Sequence, residues 1–362
     1  MDRAFLEVNV DALKHNVQKI EESIGRSKIM GVVKDQCYGL GMDAVFVLQE
    51  MGIDFFAVAT LDEAIQLRGI GIFQPILIFG YTHPERFDEL IEFDLIQTAV
   101  SVDYFMDLVH FNKPIKTHLK INTGMNRLGI PDDSDLVASL FAYEGVTICG
   151  IYTHLLSSDQ PGIGHEKSLD QMKRFDELLV QLDRLGLDYG LTHVHNSAGI
   201  FYFGESHVYD YVRPGLLLAD SSGFDGYRDV VSLKARVAMV KEVKAGENVG
   251  YGIEHVLAQD TRVVTVMIGY GDGLQRRLFK TGFQLRVNGV LRPLIGRICM
   301  DQLLVDVGTV EVKQGDLVEL IHDQFTVDQM AELLETIPNE ILTQFQPRIE
   351  RVLVYDKQEE IQ

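Results

Sequence analysis

Lys34 has the most chemistry to offer. It ends a run of mostly apolar, small or β-branched residues, 29–33, that reads as a short buried strand. A lysine at the C-terminal edge of such a strand meets apolar wall on one side and polar loop on the other. Desolvation disfavours its charged form, so its amine can act as a nucleophile near neutral pH. The plainer alternative is a snorkelling lysine on an edge strand. Four residues on, Tyr38 and Gly39 open a turn that Gly41 completes, and glycine there lets backbone and a phenol approach an anion. Arg127 in KINTGMNRLG, His154 in GIYTHL, Ser197 in HVHNSAG, and Arg213 and Gly215 in YVRPGL are further polar residues beside apolar runs. Each has a plain structural use as well: a rim charge, a satisfied interior histidine, a helix cap. Later in the chain, Tyr251 lies between Gly250 and Gly252, and Tyr270 between Gly269 and Gly271. Met300 and Asp301 put an apolar side chain and a carboxylate on a tight turn. All three stretches read equally well as surface turns.

The elements that would position these residues follow a simple rhythm. Residues 5–10 alternate as a strand, and Asp11 can cap a helix with Leu13, Val17, Ile20 and Ile24 on one face. After the Lys34 strand, strands are predicted at 55–59, 75–79, 96–100, 116–121, 146–152, 191–195 and 211–212. Helices fall between them at 44–51, 61–68, 84–93, 102–111, 133–141, 167–185 and 197–203. Eight strand-then-helix units predict an α/β fold with a closed (β/α)8 TIM-like barrel over residues 9–230. A doubly wound open sheet is the alternative from pattern alone. Barrels carry their chemistry at the C-terminal strand ends, which is where Lys34, Arg127, His154, Ser197 and Arg213 fall. From 231 the texture changes to short alternating runs at 233–243, 261–268, 284–287, 291–295, 303–307 and 317–321. Asn288 and Gly289 read as a hairpin turn. A small helix at 328–334 and a strand at 351–355 close a predicted C-terminal all-β domain, 231–362, which the N-terminal strand 3–8 is expected to join.

Length and charge bound the function. A chain of 362 residues is comfortable as two domains. With 46% hydrophobic and 24% charged residues it is globular. Asp plus Glu number 53 against 33 Lys plus Arg, a net charge of −20, which opposes nucleic-acid binding and suits a small-molecule partner. Cys37, Cys149 and Cys299 are far apart and form neither a disulfide framework nor a zinc pattern, so a reducing compartment and no metal site are expected. No apolar signal core and no membrane-length apolar stretch are read. The expectation is a cytoplasmic protein, or the cytoplasmic domain of a longer membrane-anchored one.

Lys34, with Tyr38, Gly39 and Gly41, resembles the cofactor-lysine motif of the alanine racemase family, and matching stretches run from Lys34 to Asp301 in the family's order. The resemblance implies a barrel that binds pyridoxal 5'-phosphate (PLP) and a C-terminal β domain. It also implies roles. Lys34 carries the cofactor covalently, and Lys34 and Tyr251 are the two catalytic bases. Tyr38 and Ser197 contact the phosphate, with backbone amides from Gly215 and Leu216. Arg213 faces the pyridine nitrogen, and His154 sits between that side and Tyr251. Arg127 holds the substrate carboxylate. Tyr251, Tyr270, Met300 and Asp301 come from a partner subunit, giving a homodimer with shared active sites. Lys120 matches a position often carbamylated. The implied activity is racemisation of alanine or serine, supplying D-amino acids for peptidoglycan precursors. A decarboxylase of the same fold would favour an acidic residue where Arg213 stands, and a non-catalytic PLP-binding protein would lack the β domain with Tyr251. Two departures stand out. Gln346 and Pro347 precede Arg348 where these racemases often carry a tyrosine, leaving room for a side chain the size of serine. Asn122 stands where aspartate is frequent, changing the charge near Lys120.

Overall fold

The computed structural model describes residues 3–221 and 223–356. Residues 1, 2, 222 and 357–362, some of which fall in the two expected domains, lie outside the described residues. Contacts divide the chain into two units. One comprises Val17–Cys37 and Leu48–Gly215, the other Met1–Asn16, Tyr38–Val47 and Leu216–Gln362.

The chain opens with β1 (Ala4–Asn9), which belongs to the second unit. The first unit holds β2 (Lys28–Val32), β3 (Phe55–Val58), β4 (Ile76–Ile78), β5 (Ile96–Ala99), β6 (Ile115–Asn122), the two-residue β7 (Ile130–Pro131), β8 (Val146–Tyr152), β9 (Leu191–His193) and β10 (Tyr211–Val212). The strands run parallel in the order β5-β4-β3-β2-β10-β9-β8-β6, and β5 also pairs with β6. That last pairing closes the ring and rules out the open sheet. Most of these strands are apolar and buried on both faces, as parallel strands under helices must be. Phe105, Leu119, Ile151, Met172 and Phe175 pack into one cluster between strands and helices. Inside the ring, Gly150 makes room for His118: a Cβ there would lie 2.4 Å from the imidazole.

Several boundaries differ from the sequence expectation. Val10 begins a helix rather than ending a strand, and Asn9, not Asp11, caps it by accepting from Ala12 N at 2.9 Å. The helix expected over 84–93 breaks at Arg86 into a 3-10 turn, Pro84–Arg86, and a helix, Phe87–Glu92. The long helix starts earlier, at Ile163, just after Gly162 turns the chain with φ of 76°.

The second unit is an eight-stranded sheet. With β1 it contains β11 (Val231–Val243), β12 (Thr261–Val266), β13 (Gln284–Val287), β14 (Val290–Ile295), β15 (Leu303–Asp306), β16 (Leu317–Ile321) and β17 (Glu350–Val354), in the order β12-β15-β14-β13-β16-β11-β1-β17. β1 pairs antiparallel with β11 and parallel with β17. Asn288 (φ 46°) and Gly289 (φ 80°) join β13 to β14 as a two-residue turn with both residues left-handed, as their types require. Helices Val327–Leu333 and Pro338–Thr343 make the unit mostly β rather than all-β. Among the described residues no helix is long and apolar enough to cross a membrane.

Candidate active site

In the first unit, the barrel gathers its polar residues at the ends of β2, β6, β8, β9 and β10. Lys34 follows β2 and opens a turn the sequence did not announce. Asp35, Gln36, Cys37 and Tyr38 all have φ between 52° and 56°. Left-handed geometry costs an L-residue roughly 1–2 kcal/mol, so the surroundings must hold the turn. Cys37 is buried and donates its N–H to Val33 O at 2.9 Å, and Asp35 N donates to Glu63 Oε1 at 2.6 Å. Burial lowers the pKa of Lys34, and the Arg127 charge lowers it further, against the opposing pull of Glu63 and Asp35. The amine that the sequence offered as a nucleophile is therefore easier to deprotonate than an ordinary lysine.

Arg127 sits exposed on the loop after β6. Asn122 shapes that loop. Its Oδ1 accepts from Gly124 N (3.3 Å) and Asn126 N (2.9 Å), and its Nδ2 donates to Asn126 Oδ1 at 2.9 Å. From the long helix, Arg174 donates to Thr123 O, and Gln171 donates to Thr123 Oγ1 and His154 O. Gln171 and Arg174 drew no notice in the sequence, because a helical glutamine or arginine reads as solvated face.

Arg213 is the electrostatic centre. It is buried, and it donates to His193 Nδ1 (2.7 Å), Thr153 O and Val194 O (2.8 Å each) and His154 Nδ1 (3.3 Å). Burial brings its pKa down to about 10, which leaves it cationic at neutral pH. A guanidinium only donates, so both histidines accept on Nδ1 and carry their proton on Nε2. His193 Nε2 then donates to His118 Nδ1 at 2.9 Å. Burial and the Arg213 charge hold His193 and His154 well below the usual imidazole range, and His118 at about 3. Tyr152 stacks on His193 with ring centroids 4.5 Å apart. Lys120, also buried, lies 6.0 Å from the Tyr152 ring, and burial, Arg127 and Arg213 lower its pKa to about 8.

Asn196, rather than Ser197, caps the helix after β9, accepting from Gly199 N at 2.9 Å. Ser197 Oγ instead accepts from Gly215 N at 3.3 Å, which joins two of the residues expected at the phosphate. The Arg127 charge helps to lower the pKa of Lys34, Lys120 and His154, and the Arg213 charge helps to lower those of Lys120 and His154. This donor set fits PLP. Arg213 Nε–H has no hydrogen-bond acceptor among the described residues and can face a ring nitrogen, and Lys34 supplies an amine of lowered pKa.

The other expected residues lie in the second unit. Tyr38 ends the left-handed turn, and Gly39 after it must be glycine: a Cβ would lie 2.1 Å from Leu342 O. Leu216 starts the short helix Leu216–Ala219. Tyr251 projects from a hairpin between Gly250 (φ 74°) and Gly252 (φ 78°) and is 68% exposed. That hairpin abuts the turn of Arg297: a Cβ on Gly296 would meet Val249 O at 2.6 Å. Tyr270 N donates to Cys299 O (3.0 Å) and Gly271 N to Met300 O (2.8 Å), which ties the Tyr270 turn to Met300 and Asp301. Tyr270, Met300 and Asp301 are exposed, while Asp272 between them is fully buried.

Residues 8–221 match the alanine racemase N-terminal domain and residues 230–353 the alanine racemase C-terminal domain. The chain is 38% identical to a serine/alanine racemase of Enterococcus gallinarum over 96% of its own length, and it spans only 51% of that relative. It is 36% identical to alanine racemase 1 of Caldanaerobacter subterraneus subsp. tengcongensis, covering 97% of this chain and 95% of the other. Among solved structures, alanine racemase of Bacillus anthracis with bound L-Ala-P superposes with a TM-score of 0.90 at 29% identity, covering 98% of this chain and 96% of that one.

Proposed function

The chain belongs to the alanine racemase family, and on that premise we propose that it is a PLP-dependent racemase interconverting the L- and D-forms of alanine and serine. The observation that carries this reading is Arg213, buried, held by four hydrogen bonds and cationic, following a strand paired with the one that leads to an amine of depressed pKa.

When bound, PLP supplies an electron sink that acidifies the Cα–H of an attached amino acid. Lys34 would hold the cofactor, and its Nζ would carry a proton on one face of Cα. Tyr251 Oη does the same on the other face. An ordinary phenol titrates at about 10, so the Arg127 cation is needed to favour the phenolate. Arg127 also holds the substrate carboxylate. Arg213, already charged, keeps a facing pyridine nitrogen unprotonated, which limits escape into decarboxylation. Tyr38, Ser197 and the amides of Gly215 and Leu216 hold the phosphate, and His154 fixes the Arg213 side of the ring. Lys120, with its pKa near 8, offers enough neutral amine to take up carbon dioxide, and the resulting carbamate would brace Arg127.

Tyr251, Tyr270, Met300 and Asp301 serve the barrel of a partner subunit, so the working form is a homodimer. Residues 9–230 carry the cofactor and 231–362 supply the partner's residues. A cytoplasmic enzyme of this kind would supply D-amino acids for peptidoglycan precursors. The serine assignment rests on Pro347, which is exposed in a segment bound to the Tyr270 turn through Gln346 N and Asp272 O at 3.0 Å.

Chiral analysis of incubations with single L-amino acids and added PLP tests the proposal. D-alanine and D-serine should form, without carbon dioxide, with kcat/KM values within about 100-fold of each other. Carbon dioxide without D-product would make the chain a decarboxylase. PLP binding without turnover would make it a non-catalytic carrier. A larger preference for alanine would remove the serine assignment.

A further inference from the structure

Asp272 has no side-chain exposure, yet it is a carboxylate between two glycines in a turn. A lone buried carboxylate is costly, and here its charge is met on every side. Arg3 donates to both its oxygens, Nη1 to Oδ1 at 2.7 Å and Nη2 to Oδ2 at 2.9 Å. Arg348 Nε lies 2.8 Å from Oδ1, and Gly269 N donates to Oδ2 at 2.8 Å. The same two arginines continue to Asp301. Arg348 Nη2 donates to its Oδ1 at 2.5 Å, and Arg3 Nη2 to its backbone carbonyl at 3.0 Å. Three stretches far apart in sequence therefore meet on one buried anion, the start of the chain, the Tyr270 turn and the segment after Gln344, and the two arginines extend the link to a fourth, the Met300 turn.

We infer that Arg3, Asp272 and Arg348 are positioning residues that set Tyr270, Met300 and Asp301 for the amino-acid substrate. This rests on the proposed racemase reading, which assigns those three residues to substrate. Charge-assisted bonds in fixed fork geometry hold the Tyr270 turn to the Met300 turn and fix the rotamer of Asp301. The racemase reading assigns none of the three to Lys34 or its cofactor. Their loss should therefore weaken substrate binding before it weakens the chemistry.

The test compares the full-length wild type with Arg3→Met, Arg3→Lys, Arg348→Met and Arg348→Lys, each loaded with PLP. The methionine variants should raise KM for L-alanine about tenfold with kcat changed less than about twofold, as lost ground-state positioning requires. The lysine variants should recover part of that loss, and borohydride should fix the cofactor to Lys34 equally in all. Wild-type KM in both methionine variants would overturn the inference. So would a joint fall of kcat, melting temperature and cofactor loading that lysine does not rescue. A wild type that turns over no amino acid would instead overturn the functional reading itself.

Discussion

A basic amine is useful only if the groups around it hold their charges in fixed places. Arg213 enforces this by donation alone. It forces His193 and His154 to accept, and His193 in turn fixes the proton of His118. The sequence marked Lys34, Arg127, His154 and Arg213 because each follows an apolar strand. It could not mark His118 and His193, since an interior histidine inside a strand looks the same whether or not it is wired to an arginine. Nor could it mark the left-handed turn after Lys34, because Asp, Gln, Cys and Tyr do not ordinarily adopt it. The plain alternative for Ser197, a helix cap, falls instead to its neighbour Asn196, and the serine hydroxyl accepts from Gly215 N. One consequence is a pH dependence of stability. His195 donates Nε2–H to His207 O, and burial pulls its pKa from 6.5 to about 4. The folded pKa is the lower one, so between those values the unfolded chain binds more protons and stability falls as pH falls. The contribution is roughly 3 kcal/mol, intact above pH 6.5 and fully lost below pH 4. His195→Gln should flatten the dependence of melting temperature on pH across that window. An unchanged slope would mean the histidine is not held neutral.

At the scale of elements, the barrel strands were legible because burial on both faces leaves short, unbroken apolar runs such as Ile76–Ile78. Boundaries were less legible where one backbone angle decides them, as at Gly162 and Arg86. Helix Pro338–Thr343 was missed because six residues are too few to show a helical period. Asn122 was read as a change of charge, whereas its chief local effect is to shape the Arg127 loop. Strand β8 illustrates what an element owes to a single residue. Its Gly150 leaves the space in which the His118 ring lies. Gly150→Ala should destabilise the fold by about 1–3 kcal/mol through overpacking, and should weaken cofactor binding as His118 moves on His193 and Arg213. Calorimetry together with PLP titration would show both effects. A variant with wild-type stability and cofactor affinity would contradict the packing described.

At the scale of the molecule, charge argues against nucleic acid, length allows two domains, and the sequence changes texture near 231, where β11 begins. Composition does not tell whether residues of one chain serve another, because an exposed tyrosine on a glycine hairpin looks the same in a monomer as in a shared site. Tyr251, at 68% exposure, has the surface to give to a partner, and Lys34 has the barrel mouth to receive one. Coexpression of Lys34→Ala with Tyr251→Phe tests that pairing. Each variant alone should lack racemisation. If the amine and the phenol come from different subunits, every mixed dimer keeps one intact site of its two. With half the dimers mixed, activity should return to about a quarter of wild type. A mixed population no more active than either parent would show that both groups act within one chain, and the shared site would be wrong.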